Sequence, residues 1–104
     1  AKGGLDPAKM LEALAGTAAS SRMMEIRGPL MAAEEFPPQM KLELFLKDLR
    51  LILEEGRHLE VPLPLTTTAQ RLFAAAGDAG AGAQDLAAVM TTLKHLAGLT
   101  HLPQ

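Results

Sequence analysis

Lys41-Leu42-Glu43-Leu44-Phe45-Leu46-Lys47-Asp48-Leu49-Arg50-Leu51-Ile52-Leu53-Glu54-Glu55-Gly56-Arg57-His58 decides the fold of this chain. Leu42, Phe45, Leu46, Leu49, Ile52 and Leu53 recur at i, i+3, i+4 and i+7, which predicts a helix over about residues 41–58. Leu44 and Leu51 widen its apolar stripe around much of the circumference, as expected of a central element packed on more than one side. Gly56 weakens its end.

Four more helices read outward from it. Asp6 can cap one that opens on Pro7, with Leu5 stapled onto Met10 and Gly16 as its stop. A second starts at Ser20 or Ser21 and runs until Gly28-Pro29 interrupts it, with a further turn around Leu30 and Met31. After Pro62 and Pro64 a fourth turns Leu65, Ala69, Leu72, Phe73 and Ala76 inward. Gly77, Gly80 and Gly82 make a loop, and Asp85 caps a fifth helix lined by Leu86, Val89, Met90, Leu93 and Ala97 up to Gly98. No stretch alternates with a two-residue period, so the expected fold is all-α: one compact domain, 1–104, of about five helices around the long central one.

Composition removes several functions. The chain has no cysteine, which excludes a disulfide framework, a thiol nucleophile and a cysteine zinc site. Ten basic against twelve acidic residues, with no Trp or Tyr, offer neither the charge nor the stacking faces for nucleic acid. Apolar runs are too short to span a membrane, and no signal peptide follows Ala1-Lys2-Gly3-Gly4; the protein reads as cytoplasmic. His58, His95 and His101 lack the spacing of a helical metal site and read as surface histidines. Ser20, Ser21 and Thr66 to Thr68 have no activating histidine and read as helix-start residues.

Phe45-Leu46-Lys47-Asp48-Leu49-Arg50-Leu51, then Val61-Pro62-Leu63-Pro64-Leu65, then Gly80-Ala81-Gly82-Ala83-Gln84-Asp85 stand in an order and spacing that resemble the C-terminal domain of the β-hydroxyacid dehydrogenases, of the 3-hydroxyisobutyrate dehydrogenase and 2-hydroxy-3-oxopropionate reductase type. Gly4-Leu5-Asp6-Pro7 and Arg27-Gly28-Pro29 resemble the same family at matching places, so the similarity covers nearly the whole chain. The resemblance implies an NAD(P)-dependent oxidoreductase acting on short 3-hydroxyacids or related semialdehydes, with a dinucleotide-binding Rossmann domain joined by a long helix to this one. Gly77, Gly80 and Gly82 do not have the Gly-x-Gly-x-x-Gly spacing. The family's catalytic lysine is expected upstream of Ala1, so this chain is read as a fragment holding no catalytic residue and no metal site. NAD or NADP would belong to the parent, with no tight binding and no activity expected of these residues alone.

Spacing alone puts Lys47 on a solvated polar stripe with Glu43, Arg50, Glu54 and Arg57, where Glu43 can pair with it. The resemblance instead implies that Lys47 reaches the nicotinamide end of the cofactor. Asp48 has Leu44, Phe45, Leu51 and Ile52 as its helical neighbours, so its carboxylate must reach water, a cleft or a cation. The resemblance places it at the substrate cleft. Met40 stands where relatives carry an aromatic residue lining the substrate pocket, although a methionine there also reads as an adaptable gap-filler. The expected partners are the chain's own dinucleotide-binding domain and, because so much of the central helix is apolar, a second copy in a homodimer or higher oligomer. A non-catalytic helical interaction module sharing the fold is the competing reading.

Overall fold

A computed structural model describes residues 2–99. It is all-α: α1 (Pro7–Ala15), α2 (Arg22–Ala33), α3 (Leu42–His58), α4 (Pro64–Ala76) and α5 (Val89–Leu96), with no strand among the described residues. A π-helical turn, Gly77–Ala81, kinked by the left-handed backbone of Gly80 (φ 99°), follows α4, and a 3-10 turn, Leu86–Ala88, leads into α5. His101 lies outside the described residues.

α1 starts as its cap dictates: the Asp6 carboxylate accepts from the Ala8 N–H at 3.0 Å and Pro7 holds the first helical position. It buries none of its residues, and Leu5 and Met10 remain exposed where a staple was expected. Ser21 caps α2 by accepting from the Met24 N–H. α2 then runs without a break through Gly28 and Pro29 to Ala33, where an interruption was expected. The hydrogen bond that Pro29 forfeits would have gone to the carbonyl of Glu25, an exposed residue that water can serve, so the helix tolerates the loss. Gly28 is buried beneath α1: a Cβ there would stand 2.8 Å from Leu11 Cδ2, so a larger residue would push the Leu11 side chain aside.

α3 and α4 form a hairpin over Leu59 to Leu63, with the rings of Phe45 and Phe73 edge to face at 4.9 Å. Leu42, Leu46 and Leu49 are buried, and Leu42 joins Ala76, Ala81, Ala88 and Val89 in a core flanked by Phe36, Leu72 and Phe73. Alanines at so many core positions allow α4, the π-helical turn and the 3-10 turn to approach closely. Gly56 is a packing site, not a frayed end: it is buried, and a Cβ on it would fall 2.7 Å from Leu63 Cδ1. Leu63 thus closes the hairpin, while Leu65, expected to face inward, is 85% exposed in the first turn of α4. The fifth helix also starts later than expected, because Asp85 caps the 3-10 turn that precedes it.

The central helix is packed along one side only by the described residues. Leu44 and Leu51, the residues that broaden its stripe, and Ile52, which belongs to the stripe itself, are each about half exposed.

Candidate functional site

Lys47 and Asp48 are both exposed on the side of α3 that turns away from Leu42, Leu46 and Leu49. Leu44 lies three residues before Lys47 and four before Asp48, and Leu51 lies four and three residues after them. On a helix residues three and four apart are neighbours while adjacent ones diverge, so the two exposed leucines frame Lys47 and Asp48, which point to either side of them. The expected Glu43–Lys47 pair is absent among the described residues. Glu43 lies instead over Gly82, where a Cβ would come within 3.1 Å of its Oε2. Lys47 and Asp48 make no hydrogen bond or ion pair among the described residues, which leaves both groups free for something outside them.

Met40 is half-buried just before α3 begins, and its backbone is fixed from both directions. Its N–H donates to Asp85 Oδ1 at 3.1 Å and its C=O accepts from the Leu86 N–H at 2.9 Å. None of three grooves formed among the described residues, at α3–α4, at α1–α2 and around Gly80, is lined by Met40, Lys47 or Asp48. A groove of about 710 Å³ lies at the other end of α3, walled by Leu53, Arg57, Leu63, Thr67 and Arg71, and an apolar one of about 340 Å³ lies between α1 and α2. What links Met40 to the two charged residues is the start of α3 itself.

That start is held by an unusual set of bonds. Lys41, at the N-cap, supplies no side-chain acceptor, and the first free amides of α3 bond across the fold: Leu42 N–H to Gln84 O at 2.8 Å and Glu43 N–H to Gly82 O at 2.9 Å. The loop that provides these carbonyls is anchored by Asp85, which has no exposed surface. Its Oδ1 accepts from the N–H groups of Gln39 and Met40 and from Arg27 Nη2, and its Oδ2 from the Ala87 N–H and Arg27 Nε, at 3.0 to 3.3 Å. Burial alone would raise the carboxyl's pKa, but the N–H groups of Ala87 and Met40, the Arg27 guanidinium and the N–H of Gln39 outweigh it and bring it down to about 2. Arg27 comes from α2, so this one carboxylate ties the α1–α2 pair to the rest of the domain.

Sequence reasoning found Asp85 as a cap, which it is, but missed the other four bonds. An Arg27 and an Asp85 far apart in sequence carry no local signal of their pairing.

The comparisons with known proteins bear on this geometry. Residues 1–93 match the family described as NAD-binding of NADP-dependent 3-hydroxyisobutyrate dehydrogenase. The chain belongs to this family. Among its relatives is 2-hydroxy-3-oxopropionate reductase of Escherichia coli K12, 38% identical over 96 residues, which are 92% of this chain and 33% of the reductase. Another is the cytokine-like nuclear factor N-PAC of Aedes aegypti, 36% identical over 88 residues, 85% of this chain and 16% of that protein. The crystal structure of a 3-hydroxyisobutyrate dehydrogenase from Salmonella typhimurium superposes with a TM-score of 0.82 at 31% identity, covering 86% of this chain and 31% of that one. The chain therefore spans about a third or less of the length of these family members. Although the family is an NAD-binding one, the described residues contain no strand from which a dinucleotide-binding turn could spring. No group of three or more His, Asp or Glu placed to hold a metal ion occurs among them, and no helix is long and apolar enough to cross a membrane.

Proposed function

We propose that this chain is the helical C-terminal domain of a cytoplasmic NAD(P)-dependent β-hydroxyacid dehydrogenase or reductase, acting on short 3-hydroxyacids or related semialdehydes. It supplies one wall of the cleft that faces the dinucleotide-binding domain. The observation that carries this reading is the outer face of α3, where Lys47 and Asp48 lie unpaired within the exposed frame of Leu44 and Leu51. A face of this kind is suited to being covered by another domain: the leucines gain from losing water, and the two charged groups are presented at the seam.

The roles follow from the groups available. Lys47, a mobile cation, interacts with the nicotinamide end of the cofactor. Asp48 organises polar groups at the substrate, and Met40 shapes the pocket wall. Hydride transfer is the chemistry the bound cofactor supplies, and proton transfer falls to a lysine outside these residues. Two measurements test the reading. In the full-length protein, Lys47→Ala is expected to lower turnover or cofactor affinity much more than Arg50→Ala, although both are exposed cations on one helix; equal effects would return Lys47 to the solvated stripe. Calorimetry on the 104 residues alone is expected to show no micromolar binding of NAD or NADP.

A second reading is a non-catalytic helical module that serves assembly, since the relatives include a protein named as a nuclear factor and not as a dehydrogenase. The gene region encoding residues before Ala1 separates the two. A Gly-rich strand-turn-helix followed by a lysine-bearing helix supports the enzyme, and any other upstream region supports the module.

A further inference from the structure

We propose that Asp85 is a positioning residue for the substrate cleft: by seating the Gln39 and Met40 amides it sets where α3 begins, and so where Met40, Lys47 and Asp48 stand. The inference rests on the dehydrogenase reading for its consequence, though not for its geometry.

A helix whose N-cap offers no side-chain acceptor needs other acceptors for its first amides, and α3 finds them in the carbonyls of Gly82 and Gln84. The position of that loop is therefore the position of the helix start. Asp85 follows directly on Gln84, and its own N–H donates to Phe36 O at 3.1 Å. Residues 36 to 43 are thus stitched to residues 82 to 86 by backbone bonds on both sides of a single buried carboxylate.

All five donors to that carboxylate are N–H groups. An amide of the same shape cannot replace it, because its NH2 would point at N–H groups whichever way it turned. A 17-residue helix is stiff, so a displaced start is carried along it to Lys47 and Asp48 less than two turns away. Met40 is affected directly, since Asp85 and Leu86 hold its two backbone polar groups.

The test compares Asp85→Asn with Phe73→Leu, a core change on α4 that disturbs packing without touching the clamp. On this chain, hydrogen exchange should show Asp85→Asn lowering protection at Met40, Leu42 and Glu43 by about tenfold or more relative to the α4 amides. Phe73→Leu should lower protection without that bias. In the full-length enzyme, Asp85→Asn should raise KM for hydroxyacid or cofactor about tenfold, with kcat per folded molecule changing much less, while Phe73→Leu leaves KM in place. Where Asp85→Asn yields no folded protein, Arg27→Lys, which keeps the cation and loses the planar fork, is expected to show the same bias at smaller amplitude. Equal exchange patterns or equal KM values in the two variants overturn the proposal and leave Asp85 a general stability residue. Biased exchange together with no turnover by the unsubstituted full-length protein removes the dehydrogenase reading, and the cleft role with it, while the anchored helix start stands.

Discussion

Asp85 is the residue at which the chain concentrates its polar energy, and its charge makes the fold sensitive to acid. The carboxyl's pKa falls from the ordinary 3.8 to about 2 on folding. A lowered folded-state value means stability that is fully present above the unfolded pKa and lost as pH falls through the folded one. The shift corresponds to about 2 to 3 kcal/mol, released between about pH 4 and pH 2. Chemical denaturation followed from pH 6 down to pH 2 should show this loss in the natural chain and not in Asp85→Ala, which should itself cost about 3 to 5 kcal/mol at neutral pH by leaving the Arg27 guanidinium without its partner. A pH dependence identical in both proteins would mean that other carboxyls govern the acid response. The sequence marked Asp85 as a helix cap because a cap is a local pattern of a carboxylate before apolar residues. Its long-range pairing with Arg27 depends on how α2 lies against the 3-10 turn, and no periodicity encodes that.

The helices themselves were legible because amphipathic period, capping residues and prolines are local signals. α1, α3 and α4 begin within a residue of where Pro7, Lys41 and Pro64 indicate. What periodicity could not supply was which apolar side finds a neighbour: Ile52 shares a stripe with Leu49, yet Leu49 is buried and Ile52 is half exposed. The same blindness applied to glycine. Gly56 reads as a weak helix end and proves to be a contact, with Leu63 Cδ1 at 2.7 Å and Val61 O at 3.2 Å from where a Cβ would sit. Gly16, the residue closing α1, has nothing within 4 Å of that point and an ordinary negative φ. The two should therefore respond oppositely to alanine. Gly56→Ala is expected to destabilise by about 1 to 3 kcal/mol through overpacking, and Gly16→Ala to be neutral or to stabilise by about 0.5 kcal/mol by restricting the unfolded chain. Thermal unfolding of the two variants side by side checks this, and a stabilised Gly56→Ala would show that the α3–α4 hairpin has slack that Leu63 can use.

Taken as a body, the domain leaves more apolar surface open than its own helices can cover. A second copy is the expected partner because so much of the central helix is apolar. Leu42 and Leu49 are in fact buried, Leu42 in the core with Ala76, Ala81, Ala88 and Val89, Phe45 is half-buried against Phe73, and Ile52 remains open together with Leu44 and Leu51. The residues that invite a partner are thus on the outer side of α3 and not on its core side. In an enzyme of the proposed kind, part of that surface would be met by the dinucleotide-binding domain and its linking helix. Among the described residues nothing covers it, and exposed leucines on one helix face of one copy are complementary to the same face of another about a two-fold axis. We therefore expect a homodimer or higher oligomer whose contact runs along Leu44, Leu51 and Ile52, with the neighbour's helix lying where the linking helix would. Sedimentation should show mass rising with concentration, and Leu44→Glu with Leu51→Glu should return the protein to a monomer without loss of helicity, since both side chains lie outside the core. A natural chain that stays monomeric at high micromolar concentration would falsify this account, because it would mean that two half-exposed leucines and an isoleucine, interrupted by Lys47 and Asp48, are too sparse an apolar surface to hold two copies together.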